Sequence, residues 1–170
     1  MRGLRPTTAE GLIWGGAAML AMAWGVTACG PSVADEVAVE ERLVHAQPSW
    51  ILATDEVEVA LTRQGGHMAP VIFARDGKDP IRPYHVSPWQ EENLGDLPAE
   101  VLVPLRGDFF CMPFGGNAAP HGNERHVPHG ETATAPWRLE SRSREADGTE
   151  RLSVILETAV RPGSVTKELF

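Results

Sequence analysis

Cysteine is nearly absent, with only Cys29 and Cys111 in 170 residues. That excludes a disulfide framework standing in for a core and leaves room for a single bridge between the two. Basic residues are also scarce, 15 against 23 acidic ones, for a formal charge of −8. No basic stripe interrupts this balance, so nucleic-acid binding has no electrostatic basis. Sustained helical periodicity is missing too. Fourteen prolines and 17 glycines punctuate the chain, which argues for many turns and against long helices. What remains is ordinary: 42% hydrophobic residues, enough for one domain with a workable core.

The one long apolar run is Gly11 to Ala28, preceded by Arg2 and Arg5. A basic start, a short apolar run and small residues before a cut are the marks of an export signal. The run ends in Val26-Thr27-Ala28-Cys29-Gly30, which resembles a bacterial lipobox. Residues 1–28 are therefore expected to be a lipoprotein signal peptide. Cys29 would be the lipidated residue, anchoring the protein to a membrane and facing the periplasm or exterior. Two alternatives stay open: an uncleaved membrane anchor, and cleavage after Ser32-Val33-Ala34 to give a secreted form. All three place the domain outside the cytoplasm.

Residues 29–48 are acidic and weakly patterned, and read as a tether with a short helix over Glu36–His45. From Ser49 onward the pattern has period two. Val57, Val59 and Leu61 fall on one face, with Glu58 and Thr62 on the other, as a half-buried strand requires. Gly65-Gly66 permits a tight reversal, Val71–Phe73 forms a second strand, and Asp76-Gly77 is a turn signal. Near the C-terminus, Trp137, Leu139 and Ser141 alternate with Arg138, Glu140 and Arg142. Asp147-Gly148 then forms a hairpin turn before Leu152, Val154 and Leu156. Val165–Phe170 begins another strand. The fold class expected is all-β, an antiparallel β-sandwich occupying residues 49–170.

Between these hairpins, residues 80–136 are dense in Pro, Gly, His and aromatics, a composition typical of functional loop. Two clusters carry chemistry. In Leu105–Asn117, an apolar run reads as a buried strand opening into Gly115-Gly116, where backbone can approach a ligand and Asn117 offers donor and acceptor. Asp108 reads as a turn cap. In His121–Glu131, three of the six histidines lie close together. These residues suit a polar pocket wall bonding sugar hydroxyls, with Trp89, Trp137 or Phe114 offering an apolar face to a pyranose ring. A rival reading is a cupin-like metal site built from the imidazoles and Glu131, but the odd histidine spacings fit a single strand face poorly.

The two clusters, in this order, resemble the galactose-mutarotase-like superfamily, nearest to aldose 1-epimerases and hexose-6-phosphate epimerases. Members carry an Arg-Gly-Gly-x-Pro-x-Cys-x-Pro-x-Phe-Gly segment, then His-Gly-Phe-Ala-Arg with a Trp beyond. Here stand Arg106-Gly107, Cys111, Pro113 and Phe114-Gly115, followed by His129-Gly130 and Trp137. The resemblance implies a mutarotase-type supersandwich of which this chain is the N-terminal half. It also implies anomer interconversion of a neutral hexose without metal, nucleotide or other cofactor. Arg106, Asn117, His129, Glu131 and Trp89 would bind the sugar. The arginine expected after His-Gly is replaced by the Glu131-Thr132-Ala133 stretch, so a phosphosugar is disfavoured. The family's acid and base, a second histidine and a glutamate, have no counterpart here. A non-catalytic carbohydrate-binding lipoprotein is therefore the alternative. Half a sandwich leaves apolar faces and edges uncovered, so a partner chain completing it is also expected.

Overall fold

A computed structural model describes residues 35–170 except Asn93, Phe109 and Phe114. The expected signal peptide, the lipidated Cys29 and the aromatic role of Phe114 lie outside these residues. Among the described residues, eight strands form two antiparallel four-stranded sheets. The first contains β2 (Glu40–Val44), β3 (Gln47–Ala53), β4 (Val57–Thr62) and β5 (Met68–Phe73), in that spatial order. In the second, β1 (Asp35–Glu36), β6 (Arg138–Arg144), β7 (Glu150–Thr158) and β8 (Gly163–Leu169) lie in sequence order. The sheets pack as an all-β sandwich.

The period-two pattern explains which faces meet. Trp50 and Leu52 of β3, Leu61 of β4, and Leu152, Val154 and Leu156 of β7 join Trp137 in one buried cluster. Leu139, Val165 and Leu169 pack against it. Burying each such side chain contributes roughly 1.5–3 kcal/mol, so this cluster is the main source of stability. On the far side of β3, Ser49 and Ile51 are buried as well. The long connection between β5 and β6 is bonded to this sheet: Gln47 donates to the Val103 carbonyl, and Arg106 to those of Val44 and His45.

Three expectations are corrected. Residues 35–48 of the expected tether, and the helix over Glu36–His45, are β1, β2 and the start of β3. β2 pairs with β3 along its whole length across a turn at His45-Ala46, both with positive φ (45° and 62°). Such a turn normally advertises itself with Asn or Gly. β2 is an edge strand, exposed apart from Val44, so it has no apolar alternation to detect. Second, the run from Leu105 is not a regular strand; it makes only isolated bridges, Val86 with Arg106 and Met112 with Gly130. Third, the alternation in β6 breaks at a bulge between Leu139 and Ser141. Ser141 is exposed, while Arg142 turns to Glu150, donating at 3.1 and 2.8 Å, and to the Ala38 carbonyl.

The segment 80–136 is mostly irregular, as its composition implies. Among its described residues are two 3-10 turns, Pro88–Gln90 and Glu100–Leu102, and one turn of helix, α1 (Glu131–Thr134).

Candidate functional site

The two motif segments meet. Met112 and Gly130 form a parallel bridge, and the His129 amide donates to the Gly115 carbonyl at 2.8 Å. The Thr132 hydroxyl donates to the Phe110 carbonyl at 2.8 Å, and Cys111 Sγ lies 3.5 Å from His129 Nδ1. Gly130 is required for this approach. Its φ is 78°, and a Cβ there would sit 2.0 Å from the Met112 carbonyl oxygen. Asn117 organises the adjoining turn, accepting from the His126 amide at 2.8 Å and donating to the Ala119 and Glu124 carbonyls. His126 is buried with Nε2 3.5 Å from Glu124, which also pairs with Arg161.

Behind this pair of loops is a polar hub. His67, 1% exposed, joins both: its Nδ1 accepts from the Arg106 amide, and its Nε2 donates to the Ala133 carbonyl at 3.0 Å. Burial pushes the His67 pKa down, opposed by the Ala133 carbonyl and Asp108, so the ring is neutral. Asp108 accepts from the Met68 amide and from Lys167 Nζ, each at 2.5 Å; Lys167 also donates to the Gly66 carbonyl. Gly107 is forced here as well, since a Cβ would lie 1.9 Å from the Met68 carbonyl oxygen. The Asp108 carboxylate is thus an anchor between β5 and β8, not a turn cap.

The five expected sugar-binding residues separate. Arg106 is 2% exposed, and its guanidinium donates to the carbonyls of Pro104, Val44 and His45 and to the Gln90 side chain. Burial pushes its pKa down to about 10. It clamps the long connection onto the β2–β3 turn. Glu131 is occupied by backbone: its carboxylate accepts from the Ala159 and Val160 amides after β7. Trp89 is half-buried and donates to the Leu102 carbonyl, on the Arg106 side of the connection. Trp137, considered as a ring platform, is 2% exposed and donates to the Thr132 carbonyl. Only His129 and Asn117 stay with the joined loops, beside Cys111 and a Phe110 that is 43% exposed.

Of the three clustered histidines, His126 places Nε2 3.5 Å from Glu124, the His121 backbone bridges that same Glu124, and His129 lies against Cys111. Among the described residues, no three His, Cys, Asp or Glu side chains are gathered to hold a metal ion. A hollow of about 320 Å³ adjoins the loops, lined by Pro98, Glu100, Val101, Val127, Pro128 and Thr134. That is near the lower end of small-molecule sites, about 300–1,000 Å³. A larger cleft of about 610 Å³ opens between the sheets, lined by none of the expected sugar-binding residues. Sequence reasoning missed His67 and Lys167 because each stands alone among strand and turn residues. Only their partners, about 40 to 100 residues distant, give them a role. No protein-family model, curated protein or solved structure matches the chain.

Proposed function

We propose that this is a carbohydrate-handling protein of the cell envelope, similar in kind to the mutarotase-like sugar epimerases. Its ligand is a neutral hexose, met by the joined loops 110–117 and 126–130. The observation that carries this reading is the junction itself: the Met112–Gly130 bridge and the His129–Gly115 bond bring together the two segments on which the resemblance rests. His129 supplies the imidazole, Asn117 shapes the turn, and Phe110 with Val127 and Pro128 offers apolar surface to a ring. Glu131-Thr132-Ala133 stands where the resembled family carries an arginine, which favours hydroxyl groups over a phosphate.

Binding without turnover is favoured over catalysis by the state of the nearby carboxylates. Anomer interconversion needs a general acid and a general base, each within reach of the ring. Asp108 is committed to Lys167, and Glu131 to two backbone amides. Saturation-transfer NMR with glucose and galactose tests the site, and polarimetry of the same sugars tests turnover. Binding that disappears in His129→Ala with an unchanged melting curve supports the assignment. If neither sugar transfers saturation at millimolar concentration, the carbohydrate reading is wrong.

The envelope assignment rests on Arg2, Arg5, the apolar run to Ala28 and the lipobox-like residues ending at Cys29. Incorporation of radioactive palmitate, lost in Cys29→Ala, checks it independently of the sugar site.

A further inference from the structure

Beside the joined loops, the hollow of about 320 Å³ takes its lining from two segments that other bonds hold in place. Pro98, Glu100 and Val101 belong to the first, at the 3-10 turn Glu100–Leu102. Trp89 donates to the Leu102 carbonyl at 2.9 Å and Gln90 to the Val103 carbonyl at 2.6 Å, which fixes the end of that turn. Gln90 itself accepts from the buried Arg106 guanidinium at 2.6 Å. Val127 and Pro128 belong to the second segment. The Val127 carbonyl accepts from the Gly130 amide at 2.9 Å, and a Cβ at Gly116 would lie 3.1 Å from Pro128 Cα. Thr134 completes the lining, 6% exposed, its hydroxyl donating to the Gly130 carbonyl at 3.2 Å. A hollow whose sides are anchored in this way is formed before any ligand arrives.

One group sets its chemistry. Among the described lining residues, Glu100 alone is charged, and the others are apolar except Thr134. Asp108 and Glu131 have their carboxylates engaged by Lys167 and by backbone amides. Glu100 is exposed, and its carboxylate forms no hydrogen bond or ion pair among the described residues. A carboxylate offers two acceptor oxygens and no donor, and its bonds to hydroxyls are stronger than those of a neutral acceptor. Vicinal hydroxyls of a pyranose suit it, while the C–H face of the ring suits Val127 and Pro128. The volume, at the low end for small-molecule sites, suits one ring. In so small a space a ligand carboxylate stays within the screening length of about 8 Å at physiological salt, so it meets repulsion however the ring is turned. We propose, on the reading of these loops as a hexose site, that Glu100 is its specificity-determining residue: it anchors hydroxyls of a single pyranose ring in the hollow and rejects acidic sugars.

The test follows valine methyl signals of the full chain by NMR during titration with glucose, galactose and glucuronate, the last carrying a carboxylate at C6. Glucose and galactose are expected to shift the Val101 and Val127 methyls, with glucuronate binding at least about tenfold more weakly than glucose. In Glu100→Gln the gap between glucose and glucuronate should close to within about threefold. Glu100→Leu should weaken glucose binding at least about tenfold. Melting curves of both variants are expected to match the parent, since position 100 is exposed. Glucose binding that needs His129 but leaves the Val101 and Val127 methyls unmoved would overturn the proposal while keeping the hexose reading. A Glu100→Gln variant that rejects glucuronate as strongly as the parent would do the same. Failure of both neutral sugars to bind the parent chain would remove the two together.

Discussion

The sandwich and the connection from Pro80 to Pro136 are held by different chemistry. In the sandwich, Trp50, Leu61, Trp137, Leu152 and Val154 share one apolar cluster. Each contact there is non-directional and replaceable in kind. Among the described residues of the connection, buried apolar side chains are few, Val101 and Ala133, and the chain is stitched by polar groups. Arg106 donates to three carbonyls and Gln90; Gln90 itself donates to Leu102 and Val103; Trp89 donates to Leu102; His67 bridges the Arg106 amide and Ala133. Such bonds are directional, and a missing partner leaves a buried group unsatisfied. The lesson is that a long loop can be held in place by bonds that depend on single residues.

Mutation should expose that difference in graded fashion. The largest loss is expected in the sandwich: Trp137→Ala removes a core side chain and costs about 3–5 kcal/mol, read as a lower denaturation midpoint. Arg106→Met, close in volume, should cost on the order of 3 kcal/mol, because it leaves buried carbonyls unpaired. Hydrogen exchange should show the loss spreading over residues 85–106 and the β2–β3 turn while β7 amides stay protected. If Arg106→Met melted both regions equally, the distinction between them would fail.

Acid should separate the regions by pH. His67 has its folded pKa held below the ordinary 6.5, chiefly by burial. Protonation therefore favours the unfolded form, and the connection loses stability as pH falls below about 6.5. Glu150 has its pKa held below the ordinary 4.5: burial pushes it up, but the bonds from Arg144 and Arg142 outweigh that. Its contribution persists lower and is lost only as pH falls through that depressed value. Between these windows, amide hydrogen exchange followed by NMR should find the loops loosened and β6–β7 intact, and His67→Gln should remove the upper step.

The smallest effect on stability is expected at His129. His129→Ala should change it by less than about 0.5 kcal/mol, yet abolish sugar binding in the NMR assay. Gly130→Ala, by contrast, forces the Met112 contact apart and should weaken both stability and binding. A His129→Ala variant that bound normally would leave the loops as scaffold alone.

How much was legible in advance follows from the same contrast. β4, β5, β7 and β8 show in the sequence because alternation of apolar and polar residues directly encodes two differently solvated faces. β2 does not, since an edge strand exposed along most of its length has no such asymmetry. In the connection, the sequence marked the segments that meet at Met112 and Gly130. It could not show that Arg106 points inward or that Glu131 turns to Ala159 and Val160. A polar side chain's residue type states what it can bond, not which partner is near.

By itself, then, the sequence determined the β class, the β4 strand, the β6–β7 hairpin and the part of the apolar core that Leu61, Leu152, Val154 and Leu156 supply, because burial depends on local periodicity. Only the tertiary structure decided which charged groups are anchors and which remain at the surface. That choice depends on carbonyls, amides and carboxylates brought together from distant points of the chain, and no local pattern records their arrival.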